Sequence, residues 1–118
     1  MKMKTEITLK DIIEDMLEVI KKDGEKELLS DYGWCIYSEG IEIELNDVCI
    51  VDSYPDYDDD DNEILPELIS QKAYELVFRD EMVQDVVIAC YNQKKECTVT
   101  EVFNALKYYD EHDDFLVL

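Results

Sequence analysis

The chain has 118 residues, a length that fits one domain, 1–118, built on one core. Its 31 Asp and Glu against 11 Lys and Arg give a formal charge of −20 at pH 7, a field that repels nucleic-acid phosphates and anionic lipid headgroups and attracts basic proteins and cations. An apolar fraction of 47% is that of an ordinary folded protein, which excludes disorder as the consequence of so much charge.

The first residues, Met1-Lys2-Met3-Lys4-Thr5-Glu6, carry positive charge but lead into an amphipathic, acid-containing segment and not into an apolar stretch of the kind a secretion signal needs. The longest continuous apolar run, Val86 to Tyr91, falls well short of the roughly 18–20 residues of a membrane span. A soluble, cytoplasmic protein is expected.

Leu9, Ile12, Ile13, Met16, Leu17 and Ile20 recur at the spacing of one helical face, which predicts a helix over 8–22. Thr8 with Asp11 suits its start, and Lys21, Lys22 and Gly24 suit its end. Three strands are predicted next. Trp34 to Tyr37 are β-formers, Ile41, Ile43 and Leu45 alternate with Glu42 and Glu44, and Val48 to Val51 run apolar. Ser38-Glu39-Gly40 and Asn46-Asp47 supply the turns. The first and third strands, apolar on both faces, should be covered on both.

Residues 54–63 read as an acidic loop, because six carboxylates within 56–63 cannot be packed without prohibitive desolvation. Pro66 opens a short helix over about 65–72, and Tyr74, Leu76 and Phe78 alternate with polar residues as a fourth strand. Asp80 can cap a helix bearing Val83, Val86, Val87, Cys90 and Tyr91. Thr98 with Glu101 forms a capping box for a last helix bearing Val102, Phe103, Leu106 and Tyr109. Phe115 to Leu118 either adds an edge strand or docks on the core. The fold class is α+β: a small, largely antiparallel meander of about four strands packed with three to four helices.

Chemistry-bearing patterns are sparse. Cys35, Cys49, Cys90 and Cys97 lie far apart without a CxxC pair, and the only histidine, His112, stands in an acidic tail, so reduced thiols are expected and a zinc site is not. No nucleophile elbow or phosphate-cradling glycine loop occurs, and with three glycines in the chain no enzyme activity and no cofactor are expected. Asp56, Asp58, Asp60 and Glu67 fall on positions 1, 3, 5 and 12 of a calcium-binding loop, but position 6 is Asp61 where such loops need glycine.

The charge itself is better placed than any of these. From Glu27 through Gln71 there are 14 acids and no Lys or Arg, a crowding that destabilises a fold by self-repulsion, so a structural explanation of the run is weak. The alternative is a solvated loop that confers only solubility. Read as a docking surface for basic side chains, it comprises Asp52, Tyr54, Asp56, Tyr57, Asp58, Asp59, Asp60, Asp61 and Glu63, with the tyrosines as anchors. Tyr108, Asp110, Glu111, Asp113 and Asp114 form a second acidic-aromatic group, whereas Trp34 belongs to the core.

The last third carries Met82-Val83-Gln84-Asp85-Val86-Val87, then Gln93, Thr98-x-x-Glu101, Ala105, Tyr108-Tyr109 and Asp113-x-Phe115. With the amphipathic N-terminal helix, Trp34, the acidic loop and Pro66, this resembles the small acidic immunity proteins of bacterial contact-dependent growth inhibition and related polymorphic toxin systems. The resemblance implies a cytosolic antitoxin that neutralises a cognate toxin domain, often a nuclease, by covering its active site or a neighbouring surface. A nuclease presents cations to phosphates, so an acidic inhibitor complements it. An acidic DNA mimic that inhibits a nucleic-acid enzyme is the alternative of the same chemistry, and a calcium-binding module is a further one. No direct nucleic-acid, membrane or small-molecule partner is expected.

Overall fold

The computed structural model describes all residues from Met1 to Leu118. In chain order it contains β1 (Glu6–Thr8), α1 (Leu9–Asp23), α2 (Glu25–Ser30), β2 (Trp34–Ser38), β3 (Val48–Ser53), β4 (Asp56–Tyr57), β5 (Glu63–Ile64), α3 (Glu67–Lys72), β6 (Glu75–Arg79), α4 (Asp80–Gln93) and α5 (Val99–His112). Five helices with a four-stranded antiparallel sheet make this the expected α+β class. The chain divides into two compact units, one of Met1–Leu9 with Gly33–Asp80 and one of Lys10–Tyr32 with Glu81–Leu118. No helix is long and apolar enough to cross a membrane.

The first unit holds the sheet, with strand order β1-β3-β2-β6. β2 is its centre: Ile36 lies opposite Val51 of β3 and Phe78 of β6, and all five residues of the strand are buried. Both faces of β2 are therefore covered, as its unbroken apolar sequence predicts. On the face shared by Cys35, Tyr37 and Ile50, the cover is Ile69 of α3 with Leu65, Leu68, Tyr54, Tyr74 and Leu76. Pro66 stands at the N-cap of α3, where a fixed φ and a missing N–H cost nothing, and Ala73 ends it in the left-handed conformation.

The predicted middle strand over 41–45 does not form. β2 pairs with β3 and β6, and β3 pairs with β1 and β2, so both central strands have spent their edges. Residues 39–47 instead form the connection between β2 and β3, in which Ile43 is buried but Ile41 is 65% exposed. Asp47 closes the turn by accepting the Glu44 N–H at 2.8 Å while its own N–H bonds the Glu44 carbonyl at 3.1 Å.

The second unit is helical. Every apolar position predicted for the face of α1 is buried, from Leu9, which closes the first unit's opening segment, to Ile20. Gln84 of α4, also buried, donates from Nε2 to the carbonyls of Asp31 at 2.6 Å and Leu28 at 3.2 Å, which satisfies the C-terminal end of α2. The capping box of α5 forms as predicted, with Thr98 Oγ1 accepting the Glu101 N–H and Glu101 Oε1 accepting the Thr98 N–H. The terminal segment adds no strand, and its Phe115, Val117 and Leu118 stay largely exposed, so it is tethered and not packed into the core. Gln93 offers its side-chain amide in place of a backbone, donating to the Leu116 carbonyl at 3.0 Å and accepting from the Leu118 N–H at 2.9 Å.

All four cysteines are buried free thiols. Burial disfavours the thiolate, raising Cys35 to about 11 and Cys49 and Cys90 to about 12, and it raises Cys97 too. The folded protein is therefore expected to resist Ellman's reagent at mildly alkaline pH and to react in full once urea unfolds it. Rapid labelling of any thiol under native conditions contradicts this.

Candidate functional site

The acidic run is an ordered hairpin and not the loop expected from its charge. β4 and β5 pair antiparallel, Asp56 opposite Ile64 and Tyr57 opposite Glu63. Between them Asp58 builds the turn. Its Oδ1 accepts the N–H groups of Asp60 and Asn62, both at 2.9 Å, and its Oδ2 accepts the Asn62 side-chain amide at 3.2 Å. The backbone closes the turn through Asp58 N–H to the Asn62 carbonyl and Asp61 N–H to the Asp58 carbonyl, at 3.1 and 3.0 Å. Asp61 sits at φ 60, a left-handed conformation that Asp tolerates better than most residues. A short polar side chain bonding its own backbone is the chemistry of an Asx turn, so one carboxylate is spent on structure and holds the others in place.

Asp56 through Glu63 are all exposed, and Tyr57 has 54% of its surface in water. Asp59, Asp60, Asp61 and Glu63 thus project from a backbone whose shape is set by Asp58. No three carboxylates, thiols or imidazoles converge as metal ligands, so the calcium-loop spacing of 56, 58, 60 and 67 corresponds to no assembled ligand set.

The Asn62 N–H, then the Asn62 amide and the Asp60 N–H, hold the Asp58 carboxyl below its ordinary value of 3.8. A folded-state pKa below the unfolded one means the stabilisation is complete above the unfolded value and is lost as pH falls through the folded one. In an acid titration followed by nuclear magnetic resonance, the Asp60 and Asn62 amides should keep their native shifts below the range where exposed carboxylates protonate, then move together. Movement at the ordinary carboxylate pKa contradicts the turn.

Two members of the expected surface lie elsewhere. Asp52 is fully buried in β3, opposite Cys35, and no partner can reach it. Its Oδ1 accepts the neighbouring Ser53 N–H at 2.7 Å and its Oδ2 has no partner, a cost of about 1–3 kcal/mol that the sheet absorbs. Tyr54 is half-buried. Its hydroxyl donates to Asp80 Oδ1, and the Arg79 guanidinium lies 5.3 Å from its ring centroid. It braces the base of the hairpin and does not project as an anchor.

Asp80 has partners that the sequence does not announce. Expected as a helix cap, it is buried at the start of α4, and its Oδ2 accepts the N–H groups of Gly33 at 2.5 Å and Trp34 at 3.4 Å while Oδ1 takes the Tyr54 hydroxyl. One carboxylate thereby links the entry to β2, the end of β6 and the base of the hairpin. The only cue in the sequence is an acid following an apolar strand, which fits a cap equally well.

The second acidic group lies in the helical unit, at the end of α5. Asp110, Glu111, Asp113 and Asp114 are exposed there, and Asp113 ends the helix at φ 53 with its N–H on the Tyr109 carbonyl at 2.8 Å. Negative charge at a helix C-terminus opposes the macrodipole, so helix stability does not account for these acids. Tyr108 is half-buried with its ring centroid 4.4 Å from that of His112, and Tyr109 packs at 5.1 Å against Phe115. The hairpin acids and these four belong to different units.

The chain belongs to the family described as Domain of unknown function (DUF7716), whose match covers residues 6–118. No curated protein and no solved structure matches it.

Proposed function

We propose that this protein is a cytoplasmic immunity protein that binds a cognate basic toxin domain and neutralises it by occlusion, with no chemistry of its own. The toxin class that fits is a nuclease of a contact-dependent inhibition system. The observation that carries the reading is the hairpin: six carboxylates on an ordered turn, in a stretch from Glu27 to Gln71 without one Lys or Arg. Self-repulsion makes such an arrangement costly, and a partner that supplies the missing cations relieves it. A nuclease must carry such cations to hold phosphates. The choice of toxin over other basic proteins is supported by the resemblance of residues 82–115 to immunity proteins.

The test is co-purification with the C-terminal domain of a large exported protein encoded beside this chain. A stoichiometric complex of nanomolar affinity, whose association slows as salt is raised, is expected. Protection should extend to that toxin alone. Inhibition of nucleic-acid enzymes from several unrelated sources would instead identify a DNA mimic, and association insensitive to salt would remove the electrostatic mechanism.

A further inference from the structure

We propose that a groove at the foot of the hairpin receives one arginine side chain of the basic partner, an inference that rests on reading the hairpin as the docking surface. The groove is an open depression of about 570 Å³ between Tyr54-Pro55 on one strand of chain and Ile64-Leu65-Pro66 on the other, with the exposed carboxylate of Asp56 also lining it. That is the size of a small binding site, room for one long side chain and the backbone that carries it. The two walls are held together because Asp56 and Ile64 are paired across β4 and β5.

The walls are also rigid before anything binds. Pro55 and Pro66 have fixed φ, and Tyr54 is tied by its hydroxyl to Asp80 and packed under Arg79. A preformed slot loses little entropy on binding. Half of the Ile64 surface is in water, where an incoming side chain can reach it.

Apolar walls beside acids select the occupant. A wholly apolar side chain leaves the carboxylates without a cation, and a lysine ammonium is too strongly hydrated to enter an apolar slot. Arginine has an aliphatic stem for Ile64, Leu65 and the prolines, and a weakly hydrated planar guanidinium that meets a carboxylate with two hydrogen bonds.

The probe is a pair of short peptides of equal length and charge, one alternating arginine with glycine and the other lysine with glycine, titrated at low salt into the isotope-labelled full chain. The arginine peptide should bind about fivefold more tightly and shift the amides of Ile64 and Leu65. Ile64→Thr, a change at an exposed strand position, should abolish that preference and leave the lysine peptide unaffected. Equal affinities, or shifts confined to the hairpin tip or lying elsewhere, overturn the groove and leave the acidic docking surface standing. Binding of neither peptide overturns both.

Discussion

Replacing Asp80 with alanine is expected to destabilise the protein by about 3–5 kcal/mol, seen as a lower urea midpoint at unchanged slope. The side chain is 2% exposed and is the shared acceptor for the Gly33 and Trp34 N–H groups and the Tyr54 hydroxyl. Alanine leaves these donors unmatched where water does not replace the carboxylate, and the penalty of an unsatisfied buried group exceeds the net worth of the bond it made. Tyr54→Phe isolates the hydroxyl: it removes one donor, leaves the carboxylate with its two backbone partners, and should cost about 1–2 kcal/mol. Gly33 adds to the constraint, since its φ of 88 disfavours any side chain even though none would meet an atom within 4 Å. If Asp80→Ala lies within about 1 kcal/mol of the wild type, the carboxylate does not organise this junction.

Where periodicity is long, the structure follows it. The i, i+3, i+4 spacing from Leu9 to Ile20 and the capping box at Thr98 and Glu101 each correspond to an observed helix or cap, because burial of one face is a local property of a long helix. Shorter signals are decided elsewhere in the chain. Ile41, Ile43 and Leu45 alternate as a strand should, but pairing needs an edge, and the edges of β2 and β3 are taken by residues distant in sequence. The three residues of β1 and the six of α2 are too few to show a period.

The candidate site divides in the same way. That Asp59, Asp60, Asp61 and Glu63 face water follows from their charge density alone. That Asp52 is buried does not, because it continues the apolar run from Val48 and the pairing register sets its side chain on the face of Tyr37 and Ile50. Nor does charge reveal that Asp58 differs from its neighbours. Its distinction lies in Asn62, four residues on, whose backbone and side-chain amides both reach its carboxylate.

That distinction allows charge to be removed without shape. The triple variant Asp59→Asn, Asp60→Asn, Asp61→Asn retains Asp58 and its hydrogen bonds, and asparagine accepts the left-handed conformation at position 61 as readily as aspartate does. Its urea midpoint should equal or slightly exceed that of the wild type, since repulsion within the hairpin falls. Association with the basic partner should slow by about tenfold at low salt, with the difference shrinking as salt screens the remaining acids. Asp58→Ala is the complement: it removes a single charge but leaves the turn without its acceptor, so amide exchange at Asp60 and Asn62 should accelerate while the encounter rate changes less. Should the triple variant associate at the wild-type rate at low salt, the hairpin is not the steering surface, and the four exposed acids at the end of α5 become the surface to neutralise next. Should both variants dissociate faster while associating normally, the hairpin acts through the fit of its ordered turn, because steering charge governs the on-rate and close contacts govern the off-rate.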